Sequence, residues 1–340
     1  MLLLPDNLSD LWLMFLTVKV NQLFMNKIMK THLLFLATLI LGAIIASCSN
    51  EETHVATSQY TQPTTRSIGT KTPKLTVYIE TNDVNPLNAK EYHFLNTEEE
   101  VIDHVILFAS NIRGNAKKAW LYHNPNQTYI LNNIDSLVRP LQQKGIKVLL
   151  GLIGDHTGVS FANLTPPMIH NFAKEVADCV TSYGLDGVDI GSEYGQYGRI
   201  SGLPNASATI LGNFIAQLRQ LLPDKMVTAF RYGYLVNLSF TAMNNFDYMW
   251  PNFGCTITPP TEFPKNKWAS LTIHITNEGY TTPSSTGIQS CANKYSGYGA
   301  IMMFNMREWD TSYIMNDFAP RIWGEGATVC WTGISHAKAY

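Results

Sequence analysis

The stretch that decides the fold reads Tyr183-Gly184-Leu185-Asp186-Gly187-Val188-Asp189-Ile190-Gly191-Ser192-Glu193-Tyr194-Gly195-Gln196-Tyr197-Gly198. Immediately before it, Ile169, Phe172, Val176, Cys179 and Val180 recur at the i, i+3, i+4, i+7 spacing of a helix face. Pro166-Pro167 marks where that helix starts and Gly184 where it stops. The run Asp186–Ile190 then reads as a buried strand. Alternation along it puts Asp189, Gly191 and Glu193 on one face, and Val188, Ile190 and Ser192 on the other. If the first set faces inward, a carboxylate sits at the strand end above an inward Asp, a layout that suits a general acid. A strand-end Glu taken alone is more often a helix cap or a solvated side chain.

Outward from this unit the same pattern repeats. Strands are predicted at Leu75–Glu80, Val101–Ser110, Lys147–Gly154, Asp186–Ile190, Met226–Arg231, Phe246–Pro251, Ala269–Thr276 and Gly299–Asn305, with helical segments between them. One such segment carries Ile134, Leu137, Val138 and Leu141 on one face and stops near Gly145. Alternating strand and helix argues for an α/β fold with a parallel sheet. Eight such strands in roughly 255 residues fit a single-domain (β/α)8 TIM barrel, residues 74–340. A doubly wound open sheet is disfavoured because no Gly-rich phosphate loop follows the first strand. In a barrel, sites are built at the C-terminal ends of the strands, where Glu193 falls.

The central stretch resembles the DGxDxDxE signature of glycoside hydrolase family 18, most closely the LDGVDxDxEYxxYG form of endoglycosidase H-like endo-β-N-acetylglucosaminidases. Leu149–Gly158 with Phe161-Ala162-Asn163 resembles that group's third strand, Phe246-Asp247-Tyr248-Met249-Trp250 its sixth, and Phe304-Asn305-Met306 its eighth. The resemblance implies GlcNAc-containing glycans as partners. It also implies a mechanism in which Glu193 protonates the glycosidic oxygen while the substrate's own 2-acetamido carbonyl attacks the anomeric carbon. Glu193, Asp189 and Asp186 are the signature carboxylates. The signature's middle Asp, which orients the acetamido group, is Gly191 here, and the family's sixth-strand Tyr has no match, since Asn252 and Phe253 stand in that region. Asp189 lies four residues from Glu193, about 13 Å along a strand, too far to take over. Asp155, Glu80 and Glu308 are the other carboxylates at predicted strand ends. Candidate sugar-binding groups are Tyr78, Asp155, His156, Gly191, Trp250, Asn252, Phe253, Asn305 and Trp309. Any one of these aromatics alone is as readily a core residue. The expectation is a surface protein that engages N-glycans or chitooligosaccharides with hydrolysis weak or absent. An active endo-β-N-acetylglucosaminidase is the alternative.

The 340 residues are 45% hydrophobic and 15% charged, which provides for a large core. Twenty-four basic against 26 acidic residues, with no basic block, give no footprint for nucleic acid. Lys27 and Lys30, the apolar run Leu33–Ala46 and Ile45-Ala46-Ser47-Cys48 have the layout of a signal peptide (25–47) ending in a lipobox, with Cys48 acylated. The apolar run is about 14 residues, short of the roughly 20 that span a bilayer. An outer-membrane lipoprotein is therefore expected, with translation starting at Met25 or Met29, residues 1–24 outside the fold, and a Ser/Thr/Gln/Pro-rich tether over 48–73. Cysteines 48, 179, 255, 291 and 330 have no metal-site spacing, so neither metal nor cofactor is implied. The last four leave two disulfides open, with Cys179 read as a buried thiol. A monomer is expected.

Overall fold

The computed structural model describes residues 71–276 and 281–340. The expected signal segment, Cys48 and the tether as far as residue 70 lie outside the described residues. Lys71 is buried, ion-paired with Asp103, and lies 4.5 Å from the Trp323 ring. The packed domain therefore includes Lys71, three residues before its expected start at Lys74.

All eight expected strands form. They are β1 (Lys74–Glu80), β2 (His104–Gly114), β3 (Lys147–Ile153), β4 (Gly187–Gly191), β5 (Met226–Phe230), β6 (Tyr248–Trp250), β7 (Ala269–Ile275) and β8 (Ala300–Phe304). They pair in parallel in the order β7-β8-β1-β2-β3-β4-β5-β6. A parallel bridge between Met249 and Trp268, the residue before β7, joins the two ends into a ring. Inward residues Tyr78, Ile106, Leu149, Met226, Trp250 and Met302 fill the lumen. Val188, Ile190 and the opposite strand faces pack under the helices in a second, larger core. This is a (β/α)8 TIM barrel.

The helix before β4 (Pro166–Ser182) buries Ile169, Phe172, Val176 and Val180 as its period predicts, and Gly184 leaves it with φ +60°. The segment before β3 is not one helix. It forms three short pieces, Pro125–Asn132, Ile134–Leu137 and Arg139–Gln143, and Pro140, with no N–H to continue the hydrogen-bond ladder, accounts for the break between the last two. Its apolar residues Leu137, Val138 and Leu141 are still buried. Strand β2 runs beyond the expected Ser110 and folds back on Ala119–Tyr122 as an antiparallel hairpin. The side chain of Asn115 accepts from the N–H groups of Lys117 and Lys118 (2.9 and 3.1 Å) to turn it. Among the described residues one disulfide forms, Cys255–Cys291, while Cys179 and Cys330 are free thiols.

Two residues of the central stretch prove to serve the barrel's frame. A Cβ on Gly187 would lie 2.1 Å from the Met226 carbonyl oxygen, so glycine is what lets β4 approach β5. Asp186, expected among the catalytic carboxylates, sits at the N-terminal end of β4. Its Oδ2 accepts from Val148 N–H (2.8 Å) and Gln142 Nε2 (2.7 Å). It ties β3 to β4 at the end opposite the mouth, which removes it from any reacting centre there. Asp186→Ala is expected to cost about 1–3 kcal/mol by orphaning these donors. The thermal midpoint followed by circular dichroism should fall by several degrees, and an unchanged midpoint would refute the assignment.

Candidate functional site

At the C-terminal end of the barrel a cavity of about 830 Å³ opens over β4. Asp189, Gly191 and Glu193 line it in file, as strand alternation requires. Asp189 is lowest and fully buried, and its two oxygens accept from Tyr78 Oη (2.6 Å) and Thr228 Oγ1 (2.7 Å). Trp250 Nε1 donates in turn to Tyr78 Oη (2.7 Å). The network joins β1, β4, β5 and β6 across the lumen. Burial pushes the Asp189 carboxyl up to about 6, and the two donated hydrogen bonds oppose that rise only in part. The same burial, with Asp189 alongside, keeps the Tyr78 phenol protonated and hence a donor.

Glu193 stands at the mouth, half-buried, with its carboxyl raised above the usual range by burial. Its backbone is clamped: Gly154 N–H donates to Glu193 O (3.1 Å) and His156 N–H to Tyr194 O (2.8 Å). A Cβ on Gly154 would meet Glu193 O at 2.5 Å, so glycine is required there. His156, Tyr194 and Gln196 all have positive φ (56°, 56° and 46°). Left-handed backbone at three side-chain-bearing positions around one acid is strain of the kind held at functional sites, on the order of 1–3 kcal/mol each.

Between these carboxylates, Gly191 leaves open space. A Cβ there would touch only Ile153 Cγ2 (3.0 Å) and, more loosely, Leu152 O (3.8 Å). Asp189, held by Tyr78 and Thr228, cannot swing up to fill the gap.

Of the candidate sugar-binding residues, Tyr78, Asp155, Gly191, Asn252 and Phe253 line the cavity. Tyr78 does so as a buried hydrogen-bond donor, with no face free for stacking. Phe253 stacks on His274 (4.6 Å) and touches Phe230 and Phe304, forming an aromatic wall. Asp155 is ion-paired with Arg113, whose guanidinium lies 3.3 Å from the centre of the Tyr122 ring. The other candidates do not line the cavity. Trp250 is buried behind Tyr78. Asn305 turns its amide to Ile275 O and Arg307. Trp309 packs on the outer core beside Tyr313. His156 lies on the outer side of Tyr194, its ring 4.9 Å away and bonded to Gln196. Glu308 is exposed and faces Arg307.

The cavity also gathers residues that sequence reasoning did not single out: Asn111, Arg113 and Tyr122 from the β2 hairpin, Asn124 at the start of the next helix, and Tyr232 after β5. The hairpin signal was legible in Gly114-Asn115, whereas Tyr232 had none, since a loop aromatic carries no period. Tyr194 and Tyr232, each about half exposed, offer open ring faces to the cavity.

No family model matches the chain. It is 33% identical over 264 residues to an endo-β-N-acetylglucosaminidase of Flavobacterium sp. (strain SK1022), covering 75% of this chain and 82% of the relative. It is 30% identical over 245 residues to endo-β-N-acetylglucosaminidase F1 of Elizabethkingia meningoseptica, covering 68% and 71%. The structure of Bacteroides thetaiotaomicron EndoBT-3987 with Man9GlcNAc2Asn substrate superposes with a TM-score of 0.68 at 29% identity, over 80% of this chain and 70% of that one. In that protein's complex with Man5GlcNAc product the TM-score is 0.67, and this chain spans 65% of the other's length. The barrel, the file of residues on β4 and these relatives together establish that the chain belongs to the endo-β-N-acetylglucosaminidases of glycoside hydrolase family 18.

Proposed function

We propose that this chain binds the GlcNAc-GlcNAc core of N-glycans in the cavity over β4 and cleaves it slowly, with Glu193 as the proton donor. The observation that carries this reading is the file Asp189, Gly191, Glu193 leading into one cavity, with its acid intact and its middle side chain missing. Support for the substrate class comes from the Bacteroides relative, whose structure was solved with Man9GlcNAc2Asn. The reading extends to location: a lipoprotein held through Cys48 on the outer membrane, acting on glycans outside the cell, an idea that rests on the lipobox alone.

The chemistry follows from the residues present. The 2-acetamido carbonyl oxygen bonds to the anomeric carbon as the glycosidic C–O bond breaks, and the leaving oxygen takes the proton of Glu193. A carboxyl raised by partial burial retains its proton to higher pH, as an acid working near neutrality must. Water then adds at the anomeric carbon, restores the amide and returns a proton to Glu193. Positive charge develops on the amide between these steps, and β4 offers it nothing at Gly191. Loss of one preorganised group of this kind costs about 10²–10³ in rate, roughly 2.7–4 kcal/mol. Asp189 lies deeper and contributes a fixed negative charge below the site.

Incubation of the purified chain with a high-mannose glycoprotein, followed by mass analysis, should show slow release of glycans ending in one GlcNAc. Glu193→Gln should abolish release while retaining binding. Gly191→Asp should raise the rate, by up to about 10²-fold where no other group supports the amide, because only the Ile153 methyl must yield a few tenths of an ångström to admit it. Release unaffected by Glu193→Gln, or a Gly191→Asp variant that binds the glycan but is no faster, would overturn this account.

Asp189 gives a further expectation. Its folded value of about 6 lies above its ordinary 3.8, so below about pH 4 it is protonated in both folded and unfolded chains. From pH 4 to 6 the unfolded chain ionises first, and folded stability falls as pH rises. Above 6 the penalty is constant. The thermal midpoint of wild type should therefore drop relative to Asp189→Asn between pH 4 and 6 and run parallel to it above. A constant difference from pH 4 to 8 would show that burial does not perturb this carboxyl.

A further inference from the structure

Resting on that reading, we infer that Glu80 is a second catalytic carboxylate, holding the substrate's amide from β1 in place of the side chain that β4 lacks at 191. Tyr78 on β1 reaches across the lumen to Asp189 on β4, Oη to Oδ2 at 2.6 Å. Two residues further along each strand, on the same inward faces and roughly 6.6 Å nearer the mouth, stand Glu80 and Gly191. Both line the cavity. Glu80 thus faces Gly191 one level above the point where Tyr78 meets Asp189.

The surroundings of Glu80 fit the role. Of the other two carboxylates considered at strand ends, Asp155 is neutralised by Arg113 and Glu308 does not reach the cavity. Glu80 is held in no ion pair among the described residues. Burial and Asp83 beside it raise its carboxyl, which works against the ionised form the role needs, while Arg307, just past the end of β8, favours that form. Glu193 and Glu80 both act electrostatically on Tyr194, and all three line the cavity. In the reaction, the amide N–H gains positive character as its carbonyl oxygen bonds to the anomeric carbon. It donates to Glu80, while the proton on Glu193 goes to the leaving oxygen. When water adds, the C–O bond to the amide breaks and Glu193 recovers its proton, so Glu80 begins and ends ionised.

A double-mutant cycle tests this. In the wild-type background, Glu80→Gln should lower kcat for glycan release by about 10²-fold, the cost of one preorganised group. In a Gly191→Asp background the same change should cost only a few-fold, because the introduced carboxylate then holds the amide from β4. Glycan affinity, measured by titration on Glu193→Gln with and without Glu80→Gln, should fall by far less than kcat does, since the contact strengthens as charge develops. Equal losses in both backgrounds would mean a merely structural Glu80 and overturn the inference. So would release that needs Glu193 but ignores Glu80→Gln, whereas tight binding with no release at all would sink the slow cleavage on which the inference rests. Failure of Glu193→Gln to bind any GlcNAc-ended glycan would instead sink the proposed function beneath it.

Discussion

The hydrogen bond from Tyr78 Oη to Asp189 sets the height of everything above it. A carboxylate buried in a barrel lumen is costly unless donors meet it, and here they come from two directions, β1 and β5. Because Trp250 Nε1 in turn fixes the phenol, four strands are joined through one anion. Their relative heights, and hence those of Glu80 and Glu193 two and four residues further up, follow from that network. The bulky lumen residues beneath, Ile106, Leu149, Met226 and Met302, close the floor and keep the carboxylate out of water.

The fold was legible because a parallel barrel writes its period eight times over. Each strand is a short apolar run bounded by a helix stop, and no single misread boundary moves the count. What escaped notice was local: the extension of β2 into a hairpin, and the break of the helical segment at Pro140, a residue that signals interruption but was outweighed by the apolar spacing. The file Asp189, Gly191, Glu193 was equally legible, since strand alternation alone puts the three on one face. Asp186 was carried into the set by the signature, although it opens the strand and is out of phase with Asp189, so that chain direction and alternation already put it at the far end and on the other face. Trp250 and Tyr78 illustrate the other limit. An aromatic at a strand end reads the same whether it offers a face to a sugar or an N–H or O–H to its neighbour, and here the polar handle decided.

Disulfide pairing was beyond reach for a related reason. Cys255 follows the cavity residues Asn252 and Phe253 and pairs with Cys291 on a helix 36 residues on, a closeness created by the fold and carried by no spacing rule. The link holds the Gly254–Cys255 strand against β7, where Thr272 Oγ1 also donates to Asn252 O (2.9 Å). The aromatic wall of the cavity is thus braced from behind by a covalent bond and a hydrogen bond, while its front face is left to ring contacts.

Electrostatics then explains why one glycine matters so much. Glu80, Asp189 and Glu193 converge on the cavity, whereas its cation, Arg113, is already committed to Asp155 and Tyr122. Such a site favours a neutral sugar on which positive charge appears during reaction. A carboxylate at position 191 would sit between Asp189 and Glu193, and like charges at that spacing drive carboxyl groups upward. With glycine there, burial alone raises the Glu193 carboxyl, with no neighbouring anion adding to the rise. Proton donation and amide support are thereby separated. Under the proposed mechanism the first stays on β4 and the second comes from across the barrel, where the Tyr78 contact shows that β1 reaches β4.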